Sequence, residues 1–269
     1  MTSLPANRAK TLKEGYRACD VNPLTGENMA RYYVDLSAVG NTEAIEGVST
    51  DLDIHEPGEF DTILFTGPRE CGKSTELKRI QSQCENEYRV IYREFDWERD
   101  VNDAEYTDLY LLFIKKVADD LTELRLKFDP KLLDSFEAWF KEVTQETEAT
   151  VQSSVSSETL GRNLSRQTDI NLLVKDVFDK LRRKYPDRYQ KGFLVIVDNL
   201  DRIPPSVGNH WFFDEAPQLQ EIDCTIIYTV PISVIYSDKN VSNLLGKPNI
   251  RPMVNIYEVS RSECDLNYN

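Results

Sequence analysis

Eight consecutive residues constrain this chain more than any other part of it: Gly67-Pro68-Arg69-Glu70-Cys71-Gly72-Lys73-Ser74, a match to G-x-x-x-x-G-K-[ST]. A loop with this spacing curls around a phosphate with successive backbone N–H groups pointing inward. That needs glycine wherever a Cβ would collide or φ is positive. Lys73 supplies a flexible cation for the β- and γ-phosphates, and Ser74 offers a hydroxyl to Mg²⁺. A helix starting at Lys73 aims its first amides and positive dipole end at the same charge. The flanks agree with this. Thr62–Thr66 (TILFT) is a short apolar run suited to a buried parallel strand, and a helix to about Cys84 would bury Leu77 and Ile80. Gly67 to Thr75 therefore form a candidate nucleoside triphosphate site, with ATP and Mg²⁺ as the expected ligands.

Three residues within this P-loop leave alternatives open. Glu70 would repel a triphosphate unless it turns outward, and Arg69 can either pair with it or reach a phosphate; exposure of both is the blander reading. Cys71 is either a thiol activated by loop amides and Lys73 or a small residue that fits a tight turn.

A second motif lies farther along. Phe193-Leu194-Val195-Ile196-Val197-Asp198 is an apolar run ending in aspartate, the arrangement of a Walker B strand, whose carboxylate holds Mg²⁺ with Ser74. The next residue is Asn199, which can orient a water but is a poor proton acceptor. Asp201 is the nearest carboxylate to take that role, or else it caps a turn ahead of Pro204-Pro205. Lys73, Asp198, Asn199 and Asp201 are thus the candidate catalytic residues, and slow hydrolysis is expected. Arg202 either contacts a neighbouring subunit or bridges to Asp201 or Asp198.

Around these motifs the chain reads as one domain. Residues 1–30 are polar and broken by Pro5, Pro23 and Gly26, an irregular arm. Arg31–Val39 has strand composition, and Thr42–Ile54 has apolar residues at helical spacing. Further strands are expected at Tyr88–Phe95, Phe193–Val197, Cys224–Val230 and Pro252–Tyr257. Helices are expected at Glu105–Phe128, Pro130–Val143 and from an Asp169 cap to about Tyr185. Thr144–Thr168 is polar, either mobile or a solvated helical excursion. Strands alternating with helices imply α/β architecture: a mainly parallel sheet with helices on both faces and a helical insert at about 100–190. The NTPase domain spans 31–260, and 261–269 form a tail.

Composition narrows the partners. The 269 residues carry a net charge of −14, from 32 basic and 46 acidic side chains, which disfavours general nucleic-acid binding. No apolar run is long enough to span a membrane, and the first 13 residues lack a signal-like apolar core, so a cytoplasmic protein is expected. The five cysteines are scattered, without a CxxC pair, and there are two histidines; this is not a zinc framework but fits a reducing compartment.

The strings Gly67–Leu77 (GPRECGKSTEL), Phe193–Arg202 (FLVIVDNLDR) and Tyr228–Pro231 (YTVP), with the lead-in Tyr32–Leu36 (YYVDL), resemble the bacterial AAA-like and STAND-type P-loop ATPases. The resemblance implies a five-stranded core ordered 5-1-4-3-2, ATP/Mg²⁺ binding, and nucleotide-controlled assembly in signalling or defence. It also makes Thr229, at a strand tip between the two motifs, a candidate γ-phosphate sensor, against an ordinary strand-end threonine. Such proteins continue into a helical lid, a winged helix and an effector or repeat domain. This chain ends at Asn269, soon after the last expected strand, which implies a separated module or a fragment. Three functions are open: a slow regulatory ATPase; a non-hydrolysing ATP-binding module that assembles with a partner or itself through the insert; and a small-molecule kinase, for which Arg162, Arg166, Arg182 and Arg183 would mimic a lid, although their spacing is that of a solvated helix.

Overall fold

The computed structural model describes residues 22–34, 43–95 and 157–253, together with Thr11–Lys13, Tyr16, Phe113 and Val117. Its centre is a five-stranded sheet of β1 (Thr62–Thr66), β2 (Tyr88–Glu94), β3 (Gly192–Asp198), β4 (Thr225–Thr229) and β5 (Asn249–Ile250). The spatial order is β2-β3-β4-β1-β5, and every pairing is parallel. β1, β3 and β4 are buried along their whole lengths. That explains their unbroken apolar composition, since a parallel sheet is covered on both faces.

The pleat sorts these strands into two cores. Phe193, Val195 and Val197 of β3 join a cluster with Val174, Val177 and Leu181 of a long helix, Ser157–Lys184. Leu194 and Ile196 face the other way, against Ala44, Val48 and Leu52 of α2 (Glu43–Ile54) and Leu77 and Ile80 of α3 (Lys73–Cys84). Burying Leu77 and Ile80 contributes roughly 1.5–3 kcal/mol each. α3 is therefore pinned to the sheet by the residues that follow the loop. The Ser157–Lys184 helix becomes α4, after α1 at Gly26–Tyr32.

Several expectations need correction or limits. Arg31 and Tyr32 end α1 rather than beginning a strand, and residues 35–39 lie outside the described part. Tyr33 ends that helix in extended conformation with its hydroxyl on Glu76, so a tertiary anchor overrides the strand propensity of YYV. The arm to residue 30 accordingly includes helix from Gly26. Asp169 is interior to α4, which starts at Ser157; Leu160 and Leu164, four apart, carry helical spacing through a polar stretch. Among the described residues the last strand is Asn249–Ile250; Pro252 and Met253 are not in a strand, since the Pro252 ring supplies no ladder N–H, and residues 254–257 of the expected strand lie outside the described part. The expected helix at 130–143 lies outside the described residues, as does that at 105–128 except for Phe113 and Val117, both helical and buried against the α4 side of the sheet. Among the described residues no helix is long and apolar enough to cross a membrane.

Candidate functional site

Because β4 separates β1 from β3, the carboxyl ends of all three strands meet at one edge of the sheet. Crevices at that edge are the usual ligand sites of open α/β sheets. Here it gathers the loop after β1, Thr229 and Asp198.

The loop turns with Glu70 at φ 64° and Gly72 at φ 87°. Gly72 is the cap of α3 and contributes no side chain, and the first intrahelical bond of that region runs from Glu76 N to Gly72 O. The amides of Lys73, Ser74 and Thr75 thus have no partner within the helix. Arg69 and Glu70 are both exposed. At Gly67 a Cβ would collide with the chain itself. A Cβ there would lie 2.4 Å from the main-chain oxygen of Arg251 and 3.0 Å from Cys71 Sγ.

Lys73 is only 6% exposed, and its ammonium donates to Gly67 O at 3.0 Å and Pro68 O at 2.8 Å. Its third partner is Asp201 Oδ2 at 2.9 Å, itself only 9% exposed. Asp201 therefore pairs with the loop lysine rather than with Arg202, which is exposed. Ser74 is half-buried beside Lys73, and Thr75 Oγ1 accepts a hydrogen bond from Leu24 N at 3.3 Å, tying the N-terminal segment to α3.

Asp198 is buried at the end of β3. Its Oδ2 accepts from the Tyr92 hydroxyl at 2.5 Å and its Oδ1 from Asn199 N at 2.7 Å. Burial, followed by the field of Asp198 itself, pushes the Tyr92 phenol far above its ordinary value, so it remains a donor. The Lys78 ammonium sits 3.1 Å from the centre of the Tyr92 ring, a cation–π contact that braces the tyrosine. Asn199 has φ 68°, and asparagine tolerates that left-handed conformation better than glutamate does.

Thr229 is fully buried and its hydroxyl is doubly used. It donates to Val197 O at 3.2 Å and accepts from Leu200 N at 2.9 Å. It stitches the β3 end to the one-turn 3₁₀ helix Leu200–Arg202 that carries Asp201.

Sequence reasoning missed Arg251, Glu76 and Tyr92. Arg251, just past β5, donates from Nε to Cys71 O at 2.7 Å and sits 2.8 Å from Glu76 Oε1 through Nη1. Glu76 also accepts from Tyr33 and Arg79. Glu76 stands in the matched string and was the one of the three with a local signal, a carboxylate on the buried side of α3. Arg251 had none, because its partner lies 180 residues away.

The hard oxygens of Ser74 and Asp198 suit Mg²⁺, which takes one or two protein carboxylates and completes its shell with phosphates and waters. Among the described residues no three Asp, Glu, His or Cys side chains converge as an all-protein metal cage. A cleft of about 310 Å³ at the opposite edge is lined by Ser49, Asp53, Gln83, Cys84, Glu87 and Tyr88. Burial holds the Cys84 thiol up at about 11, so it stays protonated at neutral pH. Arg182 and Arg183 end α4 at that far edge, away from the loop, while the side chains of Arg162 and Arg166 lie outside the described residues.

No protein-family model matches the chain, and no curated protein matches it either. Function therefore has to be read from the site itself.

Proposed function

We propose that this chain binds ATP with Mg²⁺ at Gly67–Thr75 and hydrolyses it slowly to ADP and phosphate, as a conformational or assembly switch in bacterial signalling or defence. The observation that carries the reading is the buried Lys73 ammonium, held over its own loop by Gly67 O and Pro68 O within reach of the β3 carboxylate turn. Read from the β5 edge the strand order is 5-1-4-3-2, the order expected of additional-strand P-loop ATPases, and this supports the assignment.

Lys73 and the first amides of α3 bind and orient the β- and γ-phosphates. Ser74 and Asp198 would hold Mg²⁺, which supplies neutralisation of the charge that develops as the phosphoryl group is transferred. Lys73 and Arg251 are buried against Asp198, Glu76 and the Asp201 side chain, with Lys78 and Arg79 half-buried beside them, so the carboxylates around the loop are matched by cations. Tyr92 and Asn199 N fix the direction of the Asp198 carboxylate. Thr229 acts as a positioning residue for the Asp201 turn. Turnover is slow because Asn199 accepts a proton poorly and Asp201 is engaged with Lys73.

That same engagement favours a second reading, an ATP-binding module without turnover that assembles with a partner or with itself through the insert. Phosphate release by the purified chain, compared with Lys73→Ala, separates them. The ATPase reading expects slow release abolished by the substitution. Tight ATP binding with release no faster than the variant's selects the module.

A further inference from the structure

An ammonium has three protons to donate, and the three of Lys73 have three acceptors: Gly67 O, Pro68 O and Asp201 Oδ2. A phosphate oxygen gains Lys73 only by taking one of these places. Two are main-chain carbonyls set by the loop's own turn. The third is a side-chain carboxylate on the short Leu200–Arg202 helix, and it carries the same sign as the incoming phosphate. Asp198 does not compete in this way, because its oxygens are held by Tyr92 and Asn199 N.

We propose that Asp201 is an internal competitor of the nucleotide: its carboxylate occupies the Lys73 position that a β- or γ-phosphate oxygen must take, and so sets the affinity of the site. The inference rests on the nucleotide-site reading above and gives Asp201 a role separate from proton transfer. Displacement of the carboxylate also pulls on a defined element. The Leu200–Arg202 turn is closed by Arg202 N to Asn199 O and Ile203 N to Leu200 O, both at 3.2 Å, and its first amide bonds Thr229 Oγ1. Loss of the Lys73 pair removes the turn's anchor on the loop, so its amides open more readily.

The test is calorimetric titration of the full chain with the magnesium complex of adenylyl imidodiphosphate, a non-hydrolysable triphosphate. Asp201→Asn and Asp201→Ser are compared with the unsubstituted chain, with melting curves establishing that each is folded. If the pair is closed about nine-tenths of the time, both variants bind about tenfold tighter. Binding detected only in the variants is the same result in its extreme form. Equal or weaker binding by folded variants overturns the proposal and leaves the nucleotide site standing. Absence of binding by all three folded chains removes the site reading itself. Should both variants fail to fold, hydrogen exchange on the unsubstituted chain decides. Amides 200–203 exchange several-fold faster at saturating ligand if Asp201 is displaced, and unchanged protection contradicts it.

Discussion

The two edges of the sheet handle charge in opposite ways. At the carboxyl edge, Lys73, Asp198, Glu76 and Arg251 are each 6% exposed or less, and the Asp201 side chain is 9% exposed. Their partners are largely one another and main-chain groups of the loop. At the amino edge, Lys191 bonds Leu52 O and Asp53 O at the end of α2 and pairs with Glu87, whose side chain is 55% exposed. Tyr88 adds a hydroxyl to Leu52 O. That edge closes a helix end that lacks its own basic residue, an ordinary structural task. Backbone strain does not separate the two, since Tyr189 at the amino edge has φ 57° beside Glu70 and Asn199 at the other. What separates them is the burial of full charges, which is costly and supports the nucleotide-site reading proposed above.

The largest expected effect would break or uphold this contrast. Arg251→Met leaves buried Glu76 with only Arg79 and Tyr33 as partners and removes the hydrogen bond to Cys71 O, and should cost roughly 1–3 kcal/mol in urea unfolding. Lys191→Met, with partners nearer solvent, should cost about 1 kcal/mol or less. Similar losses at both positions would erase the distinction.

A pH series sharpens the amino edge. Burial, with Asp53 and Glu87 adding, raises the Cys84 thiol from 9.0 to about 11. A folded value above the unfolded one gives stability that is complete below about pH 9 and lost as pH rises toward 11. Melting temperature should therefore fall more steeply over that window in the native chain than in Cys84→Ala. Parallel curves would show that the thiol does not contribute.

The smallest effect concerns the loop. Glu70 is exposed in a left-handed conformation, so Glu70→Gly should stabilise the fold by about 0.5–1 kcal/mol. A measured loss would mean that the carboxylate makes a contact its exposure does not suggest.

The elements around the site were legible where burial and a local motif coincide. TILFT and the helix from Lys73 to Cys84 stand where their spacing puts them, because an apolar run entering a glycine loop has few alternatives. Thr42–Ile54 and the apolar run before Asp198 were readable for the same reason. The start of α4 was not, since its first turns are mostly polar and Leu160 and Leu164 alone carry the helical spacing there. β5 has two residues, too few for any period to register. Of the site, the loop and Asp198 were visible as strings. The pairing of Lys73 with Asp201, the double use of Thr229 and the grip of Arg251 on Cys71 depend on which strands are neighbours, and local sequence does not encode that.

Calorimetric titration of the folded full chain with Mg²⁺ and ATP, beside Lys73→Ala, tests the central claim most directly. The account predicts saturable heat at one site per chain, lost on adding a chelator and lost in the variant. Heat that survives Lys73→Ala unchanged, or no heat in the native chain at any nucleotide concentration up to millimolar, would contradict it.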